Sequence, residues 1–542
     1  MDRRQFLTLS PARSTVAAPK AARTATGIAP YSGPWGKQQI LHLLKRTMFG
    51  VTPADLAAFS SMGMQQAVDT LLTPQPDPQP PVNNYGTDST GVPLGATWVR
   101  APKGDVDTEN DRITSYKSWW IGQLINQPRS IHDKMVLFWH NHFVTETIIV
   151  QDSRYLYQNY LTMHQHALGN FKALTKAITL DPAMLIYLNG YLNSKGAADE
   201  NYARELHELF TVGKGPDSKY TEDDVKATAR VLTGFRIDDA NITSTFNTTQ
   251  HDIENKQFSA FYSNRVISGK TGPAGATELD DLLTIIFQQP EVAKFICRKL
   301  YRFFVYYEID AATEQNVIAP LADIFRSSGY DIKTTLNALL TSEHFFDPLN
   351  YACLIKPPVD FCVGVFREFN VQFPADYTTR YECWKVIHST AAYMLQNLGD
   401  PPLVAGWDAY YQAPSFHELW INTDTLPKRN MLTDALISDR GFNFNMFIDP
   451  MAFAAQLPNP GDPVALISDS LDILYRIGVS DNLKAFLKGT ILLTGQTQDY
   501  YWTNAWQLYV SNPNDMQARS DVHIRLQALY KYIMDLSEYQ LS

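Results

Sequence analysis

Asp199-Glu200-Asn201-Tyr202-Ala203-Arg204-Glu205-Leu206-His207-Glu208-Leu209-Phe210 is the stretch that decides the fold class. At about 100° per residue, Tyr202, Ala203, Leu206, Leu209 and Phe210 fall on one apolar face, the pattern of an amphipathic helix. Asn201, Glu205 and Glu208 form a neighbouring stripe, with Glu205 about 40° of azimuth from Leu209. A carboxylate at that boundary is one that burial perturbs or a cation holds, and a salt bridge to another helix accounts for it equally well. Arg204 is spaced to pair with Glu208, and His207 is expected to face solvent. Gly213 supplies the helix stop, and Thr221 with the acidic Glu222-Asp223-Asp224 opens the next helix, so the two form a hairpin.

Working outward, helical signals dominate. Periodicity runs from Gln38 to Gly50, and Thr52-Pro53 caps and opens a second helix. Asp111 to Trp139 reads as helix broken near Gln127-Pro128, and residues 152 to 235 as a succession of helices. Pro290 opens another helix, residues 399 to 430 read as irregular, and Asp462 to Tyr539 is again helical. Between Ile237 and Gly275, Asn, Thr, Ser and Gly take over. The reading is a mainly α protein: one large multi-helix domain with a loop-rich insert carrying a short β-hairpin. Residues 1–34 form a tail, 35–435 the helical core with the insert at 237–275, and 436–542 a C-terminal helical extension packed on that core.

Charged residues are 19% of the 542, below the roughly 25% of ordinary soluble domains, which argues for a thick core. A net charge of -10 without a basic stripe argues against nucleic acid as a partner. No apolar run reaches the roughly 18 residues of a membrane span. Cys297, Cys353, Cys362 and Cys383 have no CxxC spacing. They read as buried free thiols or, in an exported protein, as up to two disulfides. Asp2-Arg3-Arg4-Gln5-Phe6-Leu7 has the arginine pair and Phe-Leu of a twin-arginine export signal, although Pro11, Arg13, Pro19 and Lys20 interrupt the apolar stretch behind it. The expected location is the periplasm or cell surface, with a basic cytoplasmic tail as the alternative.

The polar groups most expensive to bury are the candidates for chemistry. In Phe138-Trp139-His140-Asn141-His142-Phe143 the two histidines diverge by about 200° on a continuous helix. They converge on one ion if the helix ends near Asn141 or if the segment is extended; otherwise each bonds a backbone carbonyl. His251-Asp252, on the insert, can complete a site begun on helices or simply form an Asx-turn. No HExxH, GxSxG or GxGxxG is present, and Ser268-Gly269-Lys270-Thr271 lacks the first glycine and the context of a P-loop.

These segments also resemble a family. Phe138–Phe143, Asp181-Pro182-Ala183-Met184, Glu200–Leu206, Glu208-Leu209-Phe210-Thr211, Tyr220–Val225, Leu232–Phe235, His251-Asp252, Lys299-Leu300, Phe304-Val305, Lys356–Val359 and Val404-Ala405-Gly406-Trp407 occur in that order. Together they resemble the bacterial family called domain of unknown function 1800. The resemblance implies a large helical exported protein, often encoded beside a sulfatase-like exported protein, and no established activity. Two functions are consistent with the residues. The first is a metal-dependent hydrolase or oxidoreductase with His140, His142, Glu205 and His251 as ligands to a divalent transition metal, zinc or iron. Glu208 or Asp252 would then serve as its base or support. The second is a non-catalytic scaffold that binds a glycan or the sulfatase-like partner through Trp407 and Trp420.

Overall fold

A computed structural model describes residues 26–542 apart from Asp439 and Asn445. The twin-arginine-like segment lies outside the described residues. The architecture is mainly α, with two small antiparallel two-stranded sheets. No helix among the described residues is long and apolar enough to cross a membrane.

The first helix, α1 (Lys37–Thr47), ends before Thr52, which caps the next helix. Its hydroxyl accepts from Asp55 N–H while the Asp55 carboxylate reaches back to Thr52 N–H, a reciprocal box that satisfies two donors at the helix start. Helices α2 (Val106–Ile125) and α3 (His132–His142) are separated at Gln127-Pro128. Helix α2 packs against α9 (Tyr377–Tyr393), where the Trp384 ring lies on Gly122 and leaves no room for a larger residue. Buried apolar side chains form one continuous core from Ile40 to Tyr539. The C-terminal helices join it through Lys37–Asp469, through Lys45 to the Leu474 carbonyl, and through Tyr539 to Glu368.

Asn201–Glu205 (α4) continues into a π-helix at Leu206–Thr211. The wider winding defeats a wheel drawn at 100° per residue. His207 is therefore fully buried rather than solvent-facing, with its ring between the Tyr262 hydroxyl at 2.7 Å and the Thr228 hydroxyl at 2.8 Å. Arg204 pairs with Glu200 and Glu222, and Glu208 pairs with Lys214 instead of Arg204. After the turn, Thr221 caps α5 (Glu222–Val231) in a second reciprocal box with Asp224.

The insert holds β1 (Phe235–Asp238) with β2 (Thr243–Phe246), and β3 (Lys256–Gln257) with β4 (Val266–Ile267). It closes on α6 (Glu278–Phe287), which leads into α7 (Pro290–Phe304). Helix α8 (Pro358–Glu368) precedes α9. All four cysteines are free thiols.

Candidate functional site

Helix α3 runs unbroken through Asn141 and ends at His142. The end falls one residue past Asn141, yet both histidines still lie on the helix and point to different sides. His140 is buried against the Trp120 and Trp407 rings, with neither ring nitrogen meeting a partner among the described residues. Burial lowers its pKa to about 4.

His142 faces the π-helix. The last carbonyls of a helix lack partners within it, and the Phe210 carbonyl takes the His142 Nε2–H at 3.0 Å. A carbonyl only accepts, so the ring proton sits on Nε2 and Nδ1 presents its lone pair. Lys299, in the third turn of α7, donates to that Nδ1 at 2.8 Å. Burial, with the Lys299 charge beside it, keeps His142 well below its usual range and hence neutral.

His251 lies elsewhere. Its Nδ1 faces the Thr233 carbonyl at 2.9 Å, and its Nε2 stands 3.1 Å from Glu278. Asp252 is gripped by Arg230 at 2.7 and 3.1 Å. Glu205 is half-buried; burial raises its pKa, Lys214 and Arg204 pull against that, and its Oε2 has no partner. The structure thus brings Glu205 and Glu208 toward Lys214 and ties His142 to the same segment, while His140 and the His251-Asp252 pair stand apart. Among the described residues no group of three or more His, Cys, Asp or Glu side chains is arranged to hold a metal ion. The four-ligand shell expected for zinc or iron is not assembled, because His142 spends both nitrogens on Phe210 and Lys299, and His251 faces Thr233 and Glu278. Trp407 and Trp420 are core residues, 2% and 3% exposed, so neither offers a contact surface.

What does converge is a cavity of about 270 Å³. Its walls come from α3 (Phe138, Asn141), the π-helix (Glu208, Leu209), Lys214, one stripe of α7 and the irregular 405–411 segment. The α7 stripe is Phe295, Lys299, Arg302 and Phe303, spaced i, i+4, i+7 and i+8. Four segments that carry the family resemblance, around Asn141, Glu208, Lys299 and Ala405, therefore meet at one place. Two glycines let the walls close. Gly406, at φ +99, leaves space for Asn141, whose Oδ1 accepts Trp407 N–H at 2.9 Å; Gly213, at φ +82, leaves space for Phe295. The aromatic wall is continuous, with Phe303 5.4 Å from Phe138 and 5.4 Å from Tyr410 between ring centres.

Lys299 is the unusual group here. Burial, reinforced by the Arg302 charge, brings its pKa from 10.5 to about 7, and no carboxylate pairs with it among the described residues. At neutral pH a large fraction is free amine, still donating one N–H to His142. In the sequence Lys299 stands out only as part of the resemblance. The available signal was the two cations and two phenylalanines sharing one helical stripe.

Fold and site together define a mainly helical protein with a lysine-centred cavity between its helices. The chain belongs to the family described as "Protein of unknown function (DUF1800)", whose model matches residues 42–541. No curated protein and no solved structure matches it.

Proposed function

We propose that the protein is an enzyme acting on a small carbonyl compound, with Lys299 as the amine that attacks it. The observation that carries this reading is the Lys299 ammonium set on a cavity wall against a hydrogen-bond acceptor and without a carboxylate. Lysines that work as nucleophiles are prepared in this way, by apolar surroundings or a neighbouring cation. The Lys299 lone pair adds to the carbonyl carbon, and the carbonyl oxygen takes up a proton to give a carbinolamine. Loss of water then leaves an imine, which draws electrons from the adjacent carbon. Glu208, held by Lys214 on the same wall, is the group able to shuttle these protons. The aromatic surfaces of Phe138, Phe303 and Tyr410 hold the apolar body of the compound.

The test is reductive trapping. Benzaldehyde with cyanoborohydride at pH 7 is expected to place one benzyl group on Lys299, at least about tenfold faster than on other lysines, given how strongly the free-amine fraction controls rate. Lys299→Met is expected to abolish that adduct while remaining folded. Lys45, also lowered to about 7, is an internal control, because Glu368 and the Leu474 carbonyl occupy its ammonium. Labelling spread over surface lysines with Lys299 untouched would contradict the reading.

A further inference from the structure

A second, smaller chamber of about 40 Å³ adjoins the first and shares Arg302, Phe303 and Tyr410 with it. A water needs roughly 10–15 Å³ by this measure, so the chamber has room for about three waters or one small oxyanion. Its walls are rich in donors that the protein does not use. Arg46, 4% exposed, spends Nη2 on the Asn350 carbonyl at 2.8 Å and on Cys353 Sγ at 3.1 Å, whereas its Nε and Nη1 meet no partner among the described residues. His417 accepts the Ile355 N–H at Nδ1, 3.1 Å away. Burial and the Arg46 charge keep the ring neutral, so its one proton sits on Nε2, which also has no partner. Arg302 donates Nε to the Tyr307 carbonyl at 3.2 Å.

The charges point the same way. Among the described residues, the ion pairs on this wall are Lys45 with Glu368 and Lys134 with Asp360. Ser542 also lies on the wall, its N–H donating to the Leu354 carbonyl. Arg46 and Arg302 are therefore two buried or half-buried guanidinium groups that form no ion pair among the described residues. Leaving such groups unmatched is costly, and a bound anion removes the cost. One acceptor is also unmatched, Asp360 Oδ1. A carboxylate repels a fully ionised sulfate but accepts the proton that phosphate retains near neutral pH.

We propose that this chamber is a phosphate site, in which Arg46, Arg302 and His417 Nε2–H donate to phosphate oxygens and Asp360 accepts the phosphate proton. The oxyanion site stands on its own donors; only its connection to an organic ligand in the neighbouring cavity rests on the carbonyl reading above. The phosphate is either free or the ester group of that ligand.

Calorimetric titration of the full chain with inorganic phosphate at pH 7, against chloride at matched ionic strength, tests it. Saturable one-to-one binding is expected, weakened at least about tenfold in Arg46→Gln and in His417→Gln through loss of charge-assisted or buried donors. His417 is only partly buried, so its variant keeps the test open if Arg46→Gln fails to fold. Lys299→Met is expected to bind phosphate as the parent does, which separates this site from the amine chemistry. Binding no stronger than chloride, or binding unchanged in both folded variants, would overturn the proposal. Phenyl phosphate then identifies the source. If it suppresses benzaldehyde trapping at Lys299, the phosphate belongs to the organic ligand; if trapping is unaffected while phosphate still binds, the ligand is free phosphate.

Discussion

Two buried regions of this protein combine a histidine with a lysine, and they are completed differently. In the insert, Glu278 lies between them. It takes Lys256 at 2.6 Å and the Lys270 N–H at 2.7 Å, and faces His251 at 3.1 Å, while Arg230 holds the adjacent Asp252. Burial alone would raise the Glu278 carboxyl, but His251 and Lys256 outweigh it and hold the group below 4.5. At the cavity, Lys299 meets a neutral imidazole and an aromatic face, with no carboxylate. The first arrangement is a closed set of charges that fastens an irregular segment onto helices. The second leaves an amine whose proton is loosely held. The same residue types thus give a fastening in one place and a reactive group in the other, and the deciding factor is the counter-charge.

Substitutions can break this comparison in order of expected effect. Glu278→Gln strands Lys256 in the core and should destabilise the fold by about 3–5 kcal/mol, measured by denaturant unfolding, while trapping at Lys299 persists in the folded fraction. Gly406→Ala forces a side chain onto Asn141 at a left-handed backbone position. It should cost about 1–3 kcal/mol and slow trapping, because it disturbs the cavity wall. Lys299→Met should remove trapping entirely and leave stability at pH 7 equal or higher, since it deletes an uncompensated cation. Arg230→Ala opens only the partly exposed outer pair with Asp252 and should cost about 1 kcal/mol or less.

The two regions should also respond to pH in separate windows, with the same sign. Between about 7 and 10.5 the unfolded chain keeps the Lys299 proton that the folded chain releases. Stability should therefore rise with pH across that window, and Lys299→Met should flatten the rise. Glu278 has a depressed folded value, so its contribution is present above 4.5 and is lost on acidification through that lower value. Unfolding curves of parent and variants across pH check both signs.

Local rules carried much of the fold. Thr52 and Thr221 are both caps, because a cap depends on residues three positions apart. The break at Gln127-Pro128, the helix opened by Pro290 and the strand-bearing insert are local in the same way. The errors arose where distant contacts or unusual winding decide the outcome. Sequence periodicity places His207 toward solvent because the π-helix at Leu206–Thr211 leaves no periodic trace, and Tyr262 reaches the ring from 55 residues away. The site was only partly legible for the same reason. Glu208, on the stripe beside the apolar face of its helix, lines the cavity, but Lys299 gains its character from His142, 157 residues distant. The expected metal shell is not assembled, because Phe210 and Lys299 take the His142 ring and Thr233 and Glu278 face His251, contacts set by residues distant in sequence.

Competitive acetylation of the full chain across pH 5 to 11, read by mass spectrometry on the Lys299 peptide, measures the central quantity directly. The expected midpoint is near 7. A midpoint near the ordinary 10.5, shared with exposed lysines, would contradict it.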